Sequence, residues 1–396
     1  VSKDESNVLY PPSKIGIVGG GQLGKLMAFE AKKMGYHLTI LDPTYNCPAG
    51  QVSDEQITAS FADKDSIRKL AKETDVITFE FEHINADILK ELEDEGYRVY
   101  PSGHTLKKIQ NKYIQKKLLF DKGVKVPNLK KVNSKLDIIN TFEDFGDELI
   151  LKTCTGGYDG KGNIVIKNKA KLDEIIDELS DDSIKEHFFA EKLVDFEKEL
   201  SIIASRDLMG NVSFYPIAEN THKDSILTLT VAPADISSLV EEKAINTAKE
   251  VMDILDDVGV FCIEMFLGKD HEIYVNEIAP RPHNSGHYTY EACITSQFEQ
   301  LIRIITGMPL GSTNLLSPCA MTNILGTDEV IGQYSVKGME DILKEKNAYI
   351  HLYGKFSTGK NKKIGHITVL DDNLKEASKK ALEAINNLKI ISIKKS

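Results

Sequence analysis

From Lys14 onward, short apolar runs alternate with stretches whose apolar positions recur every three or four residues. Lys14–Gly19 (KIGIVG) reads as a strand entering a glycine turn; Leu23, Leu26, Met27, Ala31 and Met34 then keep helical spacing, and Gly35 supplies a stop. Further strands are predicted at His37–Leu41, Asp75–Phe81 and Tyr97–Tyr100, with helices over Asp65–Glu73 and Asp87–Glu95. Such alternation predicts a parallel sheet flanked by helices. A basic helical stretch, Lys107–Lys122, follows. The rhythm then changes to strand Leu149–Lys152, a glycine loop, strand Asn163–Lys167, helix Lys169–Leu179 and strand Phe188–Val194, the pattern of a small α+β lobe. Beyond Glu199 the chain is rich in strand signals around one long helix, Glu241–Asp257. It closes with strands Ala348–Gly354 and Gly365–Leu370 and an amphipathic helix carrying Leu374, Ala377, Ala381, Leu382, Ile385 and Leu388 on one side. An α/β chain is expected, divided into a poorly ordered leader (1–13), a Rossmann-like domain (14–108), a lid lobe (109–195) and a C-terminal α+β domain (196–396).

Composition narrows the class. In 396 residues, 60 acidic side chains outnumber 49 basic ones for a net charge of −11, so no sequence-wide attraction to nucleic acid or an anionic membrane is expected. No uncharged apolar run approaches the roughly 18 residues needed to span a bilayer. The leader VSKDESNVLYPPS has no apolar core preceded by basic residues, which argues against a secretory signal. Five widely spaced cysteines with no C-x-x-C pair suggest neither a disulfide framework nor a zinc site, and a reducing cytoplasm is the simplest home.

Three segments carry chemistry. Gly19, Gly21 and Gly24 form G-x-G-x-x-G at a strand–helix turn, with Asp42 lying 18 residues beyond Gly24 at the end of the next strand. Such a turn brings backbone N–H groups to an anion at a helix N-terminus, and this stretch alone leaves a dinucleotide site and a ligand-free turn equally open. Second, Lys152 precedes Gly156-Gly157-Tyr158-Asp159-Gly160-Lys161-Gly162. Glycines with a lysine among them make a flap suited to phosphate oxygens, and a lysine in an otherwise apolar strand asks for an anionic partner. Third, Phe261–Leu267 and Glu272–Ile278 read as a hairpin. With residues 270 and 271 at its tip, Glu264 falls directly opposite Glu277. Opposed like charges destabilise a sheet unless a cation lies between them, and two carboxylates are how Mg²⁺ is held when substrate phosphates complete its shell. Directly downstream, Arg281, His283, Asn284 and Ser285 offer donors for a small anion in a proline-stiffened loop.

Together these residues resemble the ATP-grasp superfamily. GGGQLGKLM, TFEFE, GGYDGKG, NEIAPRPHNSGH and the late HLYGK…KKIGH are similar to the 5-(carboxyamino)imidazole ribonucleotide synthases, in the order found in that family, from about Lys14 to about Leu370. The resemblance implies an ATP-grasp fold with an N-terminal preATP-grasp domain, and a ligase that uses Mg²⁺, ATP and bicarbonate to carboxylate the exocyclic amine of 5-aminoimidazole ribonucleotide in purine synthesis. It further implies a homodimer. By the same resemblance, Lys112 and Lys152 would contact ATP phosphates under a flap running from Gly157 through Tyr158, Asp159, Gly160, Lys161 and Gly162 to Asn163. Glu191, Lys192, Leu193 and Val194 would meet adenine, Glu199 the ribose, and His222 the nucleotide. Glu264 and Glu277 would hold magnesium beside Asn276. Arg281, His283, Asn284 and Ser285 would hold bicarbonate or carboxyphosphate, with Lys161 also at the reacting centre. Tyr158 and Asp159 would reach the reacting amine, Asp159 as general base. Gln22, Leu23, Glu80 and Glu82, beside the fingerprint glycines, would meet the ribonucleotide, and Lys355, Lys362 and Lys363 its 5′-phosphate. The family's usual arginines near that site are absent from Ser357–His366, where lysine supplies charge without the forked geometry.

Two other classes stay in view. A formate-dependent ATP-grasp transformylase acting on glycinamide ribonucleotide shares most of these features. A dinucleotide-dependent oxidoreductase accounts for the first glycine turn only, leaving Glu264, Glu277 and the flap unexplained.

Overall fold

A computed structural model describes residues 8–157, 162–185 and 187–393. Strands β1 (Lys14–Val18), β2 (His37–Leu41), β3 (Glu55–Ile57) and β4 (Val76–Phe79) form a parallel sheet in the order β3–β2–β1–β4. Helices α1 (Gln22–Lys33), α2 (Lys64–Glu73) and α3 (Ala86–Asp94) connect or follow them; Asp63 and Asn85 cap the latter two by accepting first-turn N–H bonds. Tyr97–Tyr100 does not form a ladder strand: it contributes a single bridge between Ile77 and Val99. The basic stretch is two helices, α4 (Gly103–Gln110) and α5 (Lys112–Asp121). It breaks at Asn111, whose side chain accepts the Ile114 N–H at 3.0 Å and so starts a new helix.

The small lobe is an antiparallel sheet of β5 (Leu129–Lys131), β6 (Leu149–Thr153), β7 (Asn163–Ile166) and β8 (Phe188–Glu191) in the order β5–β8–β6–β7. Helices α6 (Lys135–Asp144), α7 (Lys169–Glu178) and α8 (Asp181–Ile184) accompany it, over a core that includes Ile138, Phe142, Leu151 and Leu172. β8 ends at Glu191, short of the predicted Val194.

A large antiparallel sheet dominates the rest. Its strands are β9 (Phe196–Arg206), β10 (Val212–Phe214), β11 (Ala218–Lys223), β12 (Ile226–Ala232), β13 (Gly259–Gly268), β14 (Ile273–Ala279) and β15 (Cys319–Leu325). After a separate strand, β16 (Tyr334–Lys337), come β17 (Ala348–Leu352) and β18 (Lys363–Leu370), and the order is β14–β13–β9–β11–β12–β15–β18–β17 with β10 on β9. Helix α9 (Ser238–Leu255) covers one face; α10 (Thr289–Ala292) and α11 (Gln297–Ile305) lie toward the N-terminal domain. Beyond α12 (Met339–Ile342), helix α13 (Leu374–Asn387) packs on β15 and β18, and β19 (Lys389–Ser392) pairs with β16. On α13, Ala377, Ala381 and Ala384 are buried while Leu382, predicted on the same side, is exposed. It sits about 100° round the helix from Ala381.

Leu26 and Met27 of α1 and Leu301 and Ile305 of α11 share one core cluster, which fixes the N-terminal domain against the large sheet. Val1–Asn7 of the expected leader lie outside the described residues. The remainder is tied down: the Leu9 N–H donates to Thr306 O (2.9 Å) and its carbonyl accepts from the Tyr36 hydroxyl (2.8 Å). The five cysteines are buried free thiols. Among the described residues no helix is long and apolar enough to cross a membrane.

Candidate active site

The β13–β14 hairpin brings its acids together by a route the sequence did not reveal. Its tip is one residue longer than expected, a loop over 269–271 closed by the Gly268 N–H bonded to Glu272 O, so that Leu267 pairs with Ile273 and Met265 with Val275. A bulge at Asn276 then shifts the register by one, and Glu264 meets Glu277 after all. Both Asn276 and Glu277 consequently line the same cavity of about 800 Å³. Cross-strand pairing of Glu264 with Ser201, and of Phe266 and Asn220 with Glu199, continues this face across the sheet. Burial, with the neighbouring Glu277 charge, pushes the Glu264 carboxyl up to about 7.

Lysines reach the pair from two other elements. Lys112, at the start of α5, bonds Glu277 with both carboxylate oxygens at 3.0 and 3.1 Å. Lys152 of β6 donates to Asn276 Oδ1 (3.3 Å) and pairs with Glu191 of β8 (2.6 Å), which in turn meets Lys116 of α5. Burial works against the charge on Lys152, yet Glu191 holds its ammonium above the usual value; burial pushes Lys116 down against the pull of the same carboxylate. The anionic partner that Lys152 demanded is therefore, in this structure, a protein carboxylate. Nearby, Glu199 contacts His222, and although burial disfavours charge there, the carboxylate raises the imidazole above its usual range.

The loop after β14 supplies donors. Arg281 forks onto Glu82, with Nη2 at 2.8 and 3.0 Å from its two oxygens, and its buried Nε has no partner among the described residues. His283 is fixed at its backbone by Gln297 of α11, which accepts the His283 N–H (2.9 Å) and donates to its carbonyl (2.8 Å). Its Nε2 lies 3.9 Å from Glu264, and burial, with Arg281 nearby, holds the ring well below its usual pKa, hence neutral. Asn284 exchanges amide hydrogen bonds with Asn323 at 2.9 and 2.7 Å.

The glycine turn carries a correction. Its N–H groups are already taken by the protein's own carboxylates: Gly21 and Gly24 donate to Glu80, the latter at 2.7 Å, and Gly20 donates to Asp42 at 2.8 Å. The glycines are needed because Glu80 is packed into the turn. A Cβ at Gly19, where φ is +105°, would lie 2.4 Å from Glu80 Cγ, and one at Gly21 2.6 Å from its Oε1. Asp42 serves this turn, not a ribose. The turn therefore offers no open nest for a pyrophosphate; Gln22 and Leu23, at the start of α1, face the cavity together with Glu80 and Glu82.

Comparison with known proteins places this geometry. Residues 13–110 match the ribonucleotide synthetase preATP-grasp domain, 117–298 the ATP-grasp domain and 319–380 the phosphoribosylaminoimidazole carboxylase C-terminal domain. Over 366 residues the chain is 44% identical to the N5-carboxyaminoimidazole ribonucleotide synthase of Bacillus subtilis, an alignment covering 92% of this chain and 93% of that one. This chain belongs to the N5-carboxyaminoimidazole ribonucleotide synthase family. The crystal structure of the family's Thermotoga maritima member superposes with a TM-score of 0.87 at 44% identity, covering 96% of this chain and 100% of that one. The Aspergillus clavatus member, solved with ADP and 5-aminoimidazole ribonucleotide, gives 0.84 at 32% identity, covering 94% and 98%. Like the family, the chain is an ATP-grasp ligase with a Rossmann-like preATP-grasp domain.

Most of the residues singled out in sequence gather on one cavity. Gln22, Leu23, Glu80, Glu82, Lys112, Lys152, Gly157, Asn163, Glu199, His222, Glu264, Asn276, Glu277, Arg281, His283, Asn284, Lys355 and Lys363 all line it. Lys355 donates to Gln22 Oε1 at 2.9 Å, tying the C-terminal lysines to α1. Others lie elsewhere. Ser285 is buried beneath His283. Lys362 is exposed and bonds Ser357 Oγ at 3.2 Å. Gly162 turns the chain into β7, its carbonyl accepting the Thr153 N–H. Glu191 is buried between two lysines, and Lys192, Leu193 and Val194 follow it outside the cavity wall, the Lys192 N–H donating to Asn128 O at 2.8 Å. Tyr158, Asp159, Gly160 and Lys161 lie outside the described residues. Sequence reasoning missed Lys116, which looked like one more base on a basic helix, and the glutamines Gln115 and Gln297. Gln115 clamps the end of β14 through both Ile278 backbone groups, at 3.0 and 3.1 Å.

Proposed function

We propose that this chain carboxylates the exocyclic amine of 5-aminoimidazole ribonucleotide with bicarbonate, at the expense of ATP. The observation that carries the reading is the facing of Glu264 and Glu277 on a wall shared with Lys112, Lys152 and the Arg281–Asn284 loop. The family membership supports the nucleotide and the ribonucleotide: the Aspergillus clavatus relative was solved with ADP and the same ribonucleotide.

Two adjacent carboxylates, one of them pushed up to about 7, form a hard-oxygen donor set with charge to spare, which fits Mg²⁺. Glu264 and Glu277 would hold the ion, with Asn276 beside them, and the ion would supply neutralisation of triphosphate charge. Lys112 and Lys152 contribute to the same neutralisation, Lys152 by exchanging its Asn276 and Glu191 contacts for phosphate oxygens. Lys192–Val194 would offer backbone groups to adenine, with Glu199 and His222 toward the ribose. A bicarbonate oxygen attacks the γ-phosphorus, the bond to ADP breaks, and carboxyphosphate forms; positioning and charge neutralisation drive this step. Arg281, held in its fork by Glu82 and with Nη1 donating to Pro282 O, presents its remaining N–H groups to the oxyanion, with His283 and Asn284 beside it. The ribonucleotide amine then attacks the carboxyl carbon, phosphate leaves, and the nitrogen loses a proton, for which Asp159 is the proposed base. Lys355 and Lys363, with Gln22, suit the 5′-phosphate. The three-part division at residues 108 and 195 and a homodimeric assembly belong to the same reading.

Oxygen-labelled bicarbonate tests it. One labelled oxygen is expected in the released phosphate, and labelled carboxylate in the product, only when the ribonucleotide is present. Unlabelled phosphate, or equal turnover with formate replacing bicarbonate, overturns it.

A further inference from the structure

The structure assigns His283 a fixed role as an Nε2–H donor, and makes Ser285, Ser201 and Asn220 positioning residues that hold it in that tautomer. This deepens the carboxylation reading and rests on it for the identity of the acceptor.

The Ser285 backbone N–H lies 3.3 Å from His283 Nδ1, where the ring caps the short turn Asn284–Gly286. A backbone N–H can only donate, so Nδ1 presents its lone pair and the proton of the neutral ring sits on Nε2. Ser285 Oγ, 2.9 Å from the same nitrogen, must then also donate to it. Having given its proton, Ser285 Oγ accepts from Ser201 Oγ at 3.0 Å. Ser201 Oγ in turn accepts from Asn220 Nδ2 at 2.9 Å, and Asn220 Oδ1 accepts from Thr230 Oγ1 at 2.9 Å. Each proton in the chain is used once and in one direction. Ser285, Ser201, Asn220 and Thr230 are 1%, 2%, 6% and 0% exposed, which leaves little room for solvent to reverse the order.

Four elements contribute: β9 gives Ser201, β11 Asn220, β12 Thr230 and the loop after β14 the histidine. With Gln297 clamping the His283 backbone, the ring is fixed at both ends and Nε2 faces the cavity beside Glu264. In the reaction it donates to an oxygen of the carboxyl group derived from bicarbonate. It accepts no proton, so the proton leaving the ribonucleotide amine goes to another group.

Isotope-edited long-range proton–nitrogen spectra of the ligand-free wild-type protein read the tautomer directly, the His283 signal being assigned by its loss in His283→Asn. The Nε2–H form is expected. Ser201→Ala and Ser285→Ala are expected to lower kcat about fivefold to tenfold, the worth of one buried hydrogen bond, with KM for ATP unchanged and the other tautomer appearing. Ser201→Thr, which keeps the hydroxyl, restores both readouts. An Nδ1–H signal in the wild-type protein overturns the proposal, as does a Ser201→Ala variant with unchanged tautomer and kcat. Beyond the His283→Asn protein used for assignment, the wild-type spectrum requires no variant to fold, and it reads the tautomer even where the labelled-bicarbonate experiment fails.

Discussion

Glu264 and Glu277 are direct partners across the β13–β14 ladder, two carboxylates facing each other on the wall of the main cavity, with Lys112 paired to Glu277. A sheet gains nothing from that arrangement without a bound cation. Glu264→Gln is therefore expected to abolish most ADP formation, by about 100-fold or more, while leaving the melting temperature of the metal-free protein unchanged or raised by about 2 °C. Calorimetry beside a turnover assay separates this from a structural role, in which stability and activity would fall together.

Lys116 shares Glu191 with Lys152. Removing it leaves Lys152 as the sole cation among the described residues on a buried carboxylate, held there more tightly and less able to turn to phosphate. Lys116→Met is expected to raise KM for ATP about threefold to tenfold with a smaller change in kcat. Steady-state kinetics with ATP varied would show it, and an unchanged KM removes Lys116 from the account.

Glu80 occupies the N–H groups that a dinucleotide would need. No saturable NADH or NADPH binding is expected in a fluorescence titration. Glu80→Ala orphans two backbone donors and should cost about 2–4 kcal/mol in denaturant unfolding, more than Glu80→Gln, which keeps an acceptor in place.

Much of this was legible in the sequence, because the decisive patterns are local. The strand β1, the turn Gly19–Gly24, the hairpin and the loop from Arg281 to Ser285 each lie within one short segment. What was hidden depends on side chains distant in the chain. Nothing in TFEFE says that Glu80 will fill the glycine turn, or that Glu82 will hold Arg281. The bulge at Asn276 is also silent in sequence: alternation placed Glu264 opposite Glu277 with the tip one residue too short, and the bulge compensates. Lys107–Lys122 looked continuous because its composition is uniformly basic; only the capping geometry of Asn111 divides it. The Thr230–Asn220–Ser201–Ser285 chain has no sequence signature, being assembled by strand pairing.

Glu93 gives a pH dependence. Burial pushes its carboxyl up to about 7, with Asp257 adding to the shift and the Gly103 N–H opposing it. Its folded value lies above the unfolded 4.5, so between the two the native protein keeps a proton that the unfolded chain has lost. The contribution of this group therefore falls as pH rises from about 4.5 to about 7, and is flat above. Glu93→Gln, which retains an acceptor for Gly103, is expected to raise the melting temperature at about pH 8 and to leave it nearly unchanged at about pH 4.5. Equal shifts at both values contradict the assignment.

Calorimetric titration of Mg²⁺ into the ADP-bound protein tests the paired carboxylates most directly. The account predicts saturable binding in the wild-type protein, weakened about tenfold or more in both Glu264→Gln and Glu277→Gln, with ADP still bound. Equal Mg²⁺ affinity in all three proteins would contradict it.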